Sequence, residues 1–339
     1  MSSKVTLTNY FQAVDRHLQR EKLMPQASFR VRISDQLIAL HFPTTKMAEA
    51  GRCSLEGFVT DEAGKPDAEL LYWYDRCDAY LPDGASIRSS VWQSRDATGS
   101  LQIGTDQHRL LGSDVVRRRF YYSRPKPEDV DYAVYGHTLA GLFSRWASES
   151  DRILLHAAAV GWKGKGVLIV GRSGSGKSTF SVSCLTAGLD FVSDDYTLVS
   201  AAGPLRAMPL YTSVAVNPDM YSKLPQLGDP SVRPSAAWCN GKLQFRLQRH
   251  QICPALDIHA IIMPKISDRN QPVIQPVPAG PAMTQMLHSS LTQLDRNRDT
   301  DLMRTIACRM GRLPVYEMHM STDLEKNPAF LRSFIEKEF

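Results

Sequence analysis

The segment Gly171-Arg172-Ser173-Gly174-Ser175-Gly176-Lys177-Ser178, followed by Thr179, narrows the folds open to this 339-residue chain more than any other feature. It matches G-x-x-x-x-G-K-[ST] at every constrained position. The apolar run 167–170 predicts a buried strand before it. Residues 178–186 predict a helix after it, which Gly188 can close with a positive φ. The glycines let backbone N–H groups turn inward around phosphates, where side chains would obstruct them. The following helix presents its positive N-terminal end to the same anion. Lys177 is placed to reach the β- and γ-phosphates of a nucleoside triphosphate such as ATP, and the Ser178 hydroxyl to hold Mg²⁺. Strand, glycine loop, helix and a further short strand at 191–193 predict an α/β unit with its ligand at the carboxyl ends of the strands.

Asp194-Asp195 ends that next apolar segment, Asp194 lying seventeen residues after Lys177. One helix and a short return bring a carboxylate to the mouth of the loop. Two in a row allow one to hold the metal and the other to accept a proton from an attacking hydroxyl. His156 lies in a second apolar run at 153–160. Taken alone, a histidine in such a run reads as a satisfied core residue.

The chain divides by period. Residues 29–33 and 38–42 alternate apolar and polar about a Ser34-Asp35-Gln36 turn, and 70–74 and 119–122 are further strand candidates. The charged start of the chain predicts an amphipathic helix. Arg124-Pro125-Lys126-Pro127-Glu128-Asp129 lacks two backbone donors and can continue neither a helix nor a central strand. The boundary falls there, giving a β-rich accessory or recognition domain over 1–129 and a catalytic domain over 130–339. In the second part, Tyr132, Tyr135, Leu139, Leu142 and Trp146 predict one helix with a buried stripe. Strands are expected at 213–216, 258–263 and 315–320, with a long loop at 224–240. A final helix is expected with Asn327 as cap, Pro328 in its first turn, and Phe330, Leu331, Phe334 and Ile335 facing the core.

A net charge of +5 is too mild to imply a nucleic-acid or membrane partner. No apolar run approaches the roughly 18 residues of a membrane helix. The six cysteines form no CxxC pair and read as reduced thiols, and the start lacks the pattern of a secretory signal. Together these predict a cytoplasmic protein. Arg117-Arg118-Arg119-Phe120-Tyr121-Tyr122 mixes basic and aromatic residues, yet at this length it reads as a charged edge strand rather than a nucleic-acid surface. Lys242 and Arg246 alternate with apolar residues and could bring charge to a transferring phosphoryl group. Arg172 reads equally as a substrate contact or a solvated side chain.

His156-Ala157-Ala158-Ala159-Val160, the turn at Gly164 and Gly166, the 167–171 strand end, Ser173-Gly174-Ser175-Gly176-Lys177-Ser178 and Phe191-Val192-Ser193-Asp194-Asp195 together resemble the catalytic domain of HPr kinase/phosphorylase. The resemblance covers about forty residues. It implies a fold related to phosphoenolpyruvate carboxykinase and transfer of a phosphoryl group from ATP to a serine hydroxyl of a protein or peptide partner. It also implies Lys177 at the phosphates, His156 beside the aspartate pair, Asp194 as proton acceptor, Asp195 and Ser178 as metal ligands, and assembly of several copies. The chain departs from the family at Thr179, where the family has glutamate. It also lacks the glycine-bearing segment that serves the reverse reaction, having 210–217 in its place. The match is therefore to the broader group of HPr-kinase-related kinases. Two rivals stay open: a small-molecule kinase with the same machinery, and a non-catalytic nucleotide-gated regulator.

Overall fold

The alternating segments near the start of the chain form a seven-stranded sheet in the computed structural model, which describes residues 6–76, 91–104, 108–128, 130, 132–200, 202–231, 241–293 and 300–339. Helix α1 (Leu7–Arg20) precedes β1 (Ala27–Ile33) and β2 (Gln36–Phe42), an antiparallel hairpin with Ala27 opposite Phe42. Ser34 takes the left-handed turn conformation at φ 55°. After α2 (Thr45–Cys53) come β3 (Ala68–Tyr74), β4 (Val91–Asp96), β5 (Gly99–Gly104), β6 (Arg109–Asp114) and β7 (Arg119–Arg124), in the sheet order β1-β2-β3-β7-β6-β5-β4.

Period-two alternation gives this sheet two apolar faces. Leu71, Trp73, Leu101 and Tyr121 pack under α1, whose Leu7, Phe11, Val14 and Leu18 recur at helical spacing. The Phe11 ring stacks on Tyr121 at 4.5 Å. It lies so close to Gly112 that a Cβ there would come within 2.3 Å of it, so this strand position admits only glycine. Leu40, Leu70, Tyr72 and Phe120 face the other way.

The stripe expected over 132–146 is carried by two helices, α3 (Tyr132–His137) and α4 (Ala140–Ser148), not one. Leu139 breaks them apart at φ 53°, and the corner turns the polar end of α3 toward the second half of the chain. Leu142 and Trp146 are buried as expected. The apolar run 153–160 is likewise two strands, β8 (Arg152–His156) and β9 (Ala158–Trp162). His156 therefore ends a strand instead of lying inside one.

A second sheet follows, built from β8, β9, β10 (Lys165–Ile169), β11 (Asp190–Ser193), β12 (Tyr196–Ser200), β13 (Arg206–Pro209) and later strands, with α5 (Lys177–Thr186) between β10 and β11. β14 (Ser213–Val216) leads through α6 (Pro218–Tyr221) to β15 (Leu243–Arg246), and these two strands pair as a separate ribbon. The expected loop at 224–240 is described only in part, because 232–240 lie outside the described residues. β16 (Leu256–Arg269) is fourteen residues long and outruns the strand expected at 258–263. It pairs parallel with β10 and, further along, parallel with a strand near the end of the chain. β17 (Val273–Pro276), α7 (Ala279–Gln293), α8 (Thr300–Met310), β18 (Val315–Ser321) and α9 (Lys326–Glu338) complete the chain.

Asn327 is not the cap of α9. Its amide instead accepts from the Ser321 N–H at 2.8 Å and donates to the Ser321 carbonyl at 3.1 Å, clamping the end of β18 to the helix. The second sheet is mixed in direction and buried on both faces. α5 and α9 lie over one apolar cluster, and α7 and α8 belong to the other. A third cluster joins Leu40, Leu70 and Phe120 of the first sheet to Trp146, Leu154, Leu198 and Tyr211. Among the described residues, no helix is long and apolar enough to cross a membrane.

Candidate functional site

The phosphate loop leaves β10 and enters α5. Gly174 and Gly176 hold φ of 80° and 92°, which side-chain-bearing residues rarely adopt. A Cβ on Gly171 would come within 2.4 Å of the Ser175 hydroxyl, so a side chain there would displace that hydroxyl. No side chain caps the N-terminus of α5, which leaves its first N–H groups directed at the loop. Lys177 is 7% exposed, and its ammonium donates to the Gly171 carbonyl at 2.9 Å. Burial lowers its pKa, against the pull of Asp195 and Asp194. Ser175 Oγ is buried and has no hydrogen-bond partner among the described residues. A lysine, an orphan hydroxyl and open helix N–H groups around three glycines fit a bound chain of phosphates.

A cavity of about 830 Å³ opens over this loop. Its polar wall carries Arg172, Lys177, Ser178, Thr179, Asp195, His156 and Lys242. Its apolar wall carries Met220, Ile266, Met320 and Leu324. The overhang of β16 beyond β10 brings Ile266 here, 66% exposed, and Met320 lies against Gly176. This wall had no signal in the sequence, because it depends on how far β16 runs past its neighbour. Lys242 is on the cavity wall, whereas Arg246 turns away and donates to Cys53 Sγ at 2.8 Å. The run Arg117-Arg118-Arg119 lies elsewhere, and all three arginines are engaged within the first sheet region.

The two aspartates part company. Asp194 is 4% exposed and absent from the cavity wall. Its oxygens accept from Ser181 Oγ at 2.8 Å and from the Ala215 N–H at 3.3 Å, tying α5 to β14. Burial and the neighbouring Asp195 charge raise its pKa, with Ser181 opposing. Asp195 faces the cavity, its side chain 26% exposed. His156 lies beside the aspartate pair, and of the two it meets Asp195: its Nε2 donates to Asp195 Oδ1 at 2.6 Å. The two residues form the bend between β11, which ends at Ser193, and β12, which begins at Tyr196, and within it one side chain is held inside and the other meets the cavity. Burial works against the Asp195 charge. The His156 hydrogen bond, His137, and Lys177 outweigh it and hold the carboxyl well below the usual range.

His137, at the end of α3, was missed by sequence reasoning. Its Nε2 lies 3.8 Å from Asp195 Oδ2, the oxygen that His156 does not take. Its ring meets Tyr196 and Tyr211 edge-on, with centroids 4.7 and 5.2 Å away. Burial lowers its pKa against the attraction of Asp195. No spacing in the chain relates residues so far apart. Among the described residues, no group of three or more His, Cys, Asp or Glu side chains could hold a metal. A magnesium ion would need Ser178 and Asp195 together with the phosphates themselves, which is the chemistry of a metal carried in on a nucleotide.

No protein-family model matches this chain, and no curated protein matches it. Among solved structures, the HPr(Ser) kinase/phosphatase from Coxiella burnetii is similar at 12% identity and a TM-score of 0.28, over 54% of this chain and 93% of that one. At that level neither fold nor activity transfers to this chain.

Proposed function

We propose that this chain is an ATP- and Mg²⁺-dependent kinase of the HPr-kinase-related type, transferring the γ-phosphoryl group to a serine hydroxyl of a protein or peptide in the cytoplasm. The observation that carries the reading is one cavity with Lys177, Ser178, Asp195 and His156 on its polar wall, at the mouth of a glycine loop. The residues 171–179 would hold the phosphates, and the apolar wall of Met220, Ile266 and Met320 would take the nucleoside. Ser178 and Asp195 would hold magnesium, which offsets phosphate charge when bound. Lys177 and Lys242 would stabilise charge on the transferring group.

Asp194 is the proton acceptor expected from the sequence, but it would have to leave Ser181 and Ala215 to meet a hydroxyl. The His156–Asp195 pair already stands on the cavity wall, where His156 would orient the carboxylate that faces the metal. A mixed sheet, with β10 antiparallel to β9 and parallel to β16, suits a phosphoenolpyruvate-carboxykinase-like catalytic unit over 130–339. The β-rich first part, 1–129, would then serve recognition.

The test is incubation with ATP labelled in the γ-phosphate, magnesium and an extract from the source cells, with Lys177→Ala as control. Label in a protein or peptide that disappears with the variant supports the reading. Label in a small metabolite favours the small-molecule rival. Binding of ATP with no transfer at all favours the nucleotide-gated regulator.

A further inference from the structure

We infer that His137 is a positioning residue for Asp195, the second of two histidines set against this carboxylate, one at each oxygen. The inference rests on the nucleotide reading above and adds a residue that none of the sequence motifs contains. His156 takes Oδ1 at 2.6 Å, and its other ring nitrogen, Nδ1, is buried without a hydrogen-bond partner. The other carboxylate oxygen, Oδ2, has His137 Nε2 at 3.8 Å, within electrostatic reach and beyond hydrogen-bond length. The His156 bond fixes Oδ1 and the field of His137 favours one placement of Oδ2, so the face that the carboxylate turns to the cavity is set in advance. His137 is not on the cavity wall and acts through Asp195.

The corner that carries His137 is braced on every side. Ser213 Oγ donates to the Gly136 carbonyl at 2.7 Å, and Tyr211 Oη donates to the Thr138 carbonyl at 2.8 Å. The Thr138 N–H donates to Ser54 Oγ at 3.3 Å, and Ser54 Oγ donates in turn to the Gly51 carbonyl at 3.0 Å. A Cβ on Gly51 would meet both Phe42 and Thr138 at 2.9 Å, so α2 fits against the corner closely. Leu139 adopts a left-handed backbone to complete the turn. These contacts come from both halves of the chain, and all of them hold the one residue that faces Asp195 Oδ2. The first part of the chain thereby reaches the site through Ser54 and α2.

The test compares calorimetric affinity for ATP with and without Mg²⁺ and reads the gain that magnesium brings. His137→Phe keeps a flat ring against Tyr196 and Tyr211 and removes the polar nitrogen. It should cut the magnesium-dependent gain about fivefold, the scale of one hydrogen-bond-sized contact. The melting temperature of the nucleotide-free protein should change little. His137→Gln, which restores an N–H at a similar reach, should recover most of the gain. Tyr211→Phe, which only loosens the corner, should reproduce part of the loss and covers the case in which His137→Phe fails to fold. In an Asp195→Asn background, His137→Phe should have no further effect, because the two residues act as one unit. A full magnesium-dependent gain in His137→Phe, or losses that add to those of Asp195→Asn, would overturn the inference while leaving the nucleotide reading intact. If the wild-type protein shows no such gain, the nucleotide reading fails first and the inference falls with it.

Discussion

Two clusters of charge in this molecule look alike in sequence and differ in what surrounds them. In the first sheet, Arg117 and Arg119 both reach Asp15 of α1. Arg119 also pairs with Glu69 of β3, and Arg118 donates to Gln36. Each cation there meets a protein acceptor, and the cluster fastens a helix and neighbouring strands together. Around the phosphate loop the cations are placed otherwise. Lys177 rests on a backbone carbonyl of its own loop, while Arg172 and Lys223 have no ion-pair partner among the described residues. Asp195 there is flanked by two histidines. Charge held by internal partners stabilises a fold, whereas charge gathered around an open cavity is arranged for a ligand.

The sharpest test of this contrast is Lys177→Ala. It should lower phosphoryl transfer by about 10²–10⁴, the usual cost of losing an electrostatic stabiliser of the transferring group. The fold should survive, as judged by circular dichroism. Near-normal transfer would remove the loop from the active site.

Asp195→Asn and Asp194→Asn should separate next. The first should lower transfer by roughly 10²-fold, since the carboxamide does not keep the charge facing the metal. The second should lower the rate less and act on stability. An amide at position 194 can still accept from Ser181 but would set an N–H against the Ala215 N–H, at a cost of about 1–3 kcal/mol. A larger rate loss in Asp194→Asn than in Asp195→Asn would return the catalytic role to Asp194.

On the other side of the comparison, Arg119→Ala takes the arginine from Glu69 and leaves Asp15 with Arg117 and Tyr121 in a partly buried setting. Stability should fall by about 1–3 kcal/mol in a denaturant titration. Affinity for ATP and magnesium should stay within twofold, and a marked loss would mean that the two clusters communicate. The smallest effect is expected for Arg172→Ala. The side chain is exposed on the lip of the cavity, and steady-state rates should shift by no more than a few-fold. A loss near that of Lys177→Ala would make Arg172 a direct partner of the transferring group.

Several elements could be read before any coordinates because their causes are local. The Ser34 turn between alternating runs became β1 and β2, and strands at 213–216 and 315–320 appear where period-two patterns put them. The turn after α5 uses Gly188 at φ 77°. Other expectations failed for reasons of context. The stripe 132–146 has helical spacing throughout, yet contacts to Ser54, Tyr211 and Ser213 bend it at Leu139. Apolar content alone could not show that 153–160 breaks at Ala157, because two buried strands in line read like one. The glycine-bearing strands β5 and β6 were invisible until Phe11 was seen to occupy the space over Gly112.

By itself the sequence determined the phosphate loop, its strand and its helix, since glycine freedom, a buried apolar run and helix polarity act within a few residues of one another. It also put Asp194 and Asp195 side by side directly after the short strand that follows the loop helix. Only the tertiary structure decided which of them meets the cavity, since that depends on where α5 and β14 close against the sheet. It alone decided, too, that His137 stands beside Asp195. That contact is made by a corner folded across the chain, and its energy lies in packing between segments that have no relation in sequence.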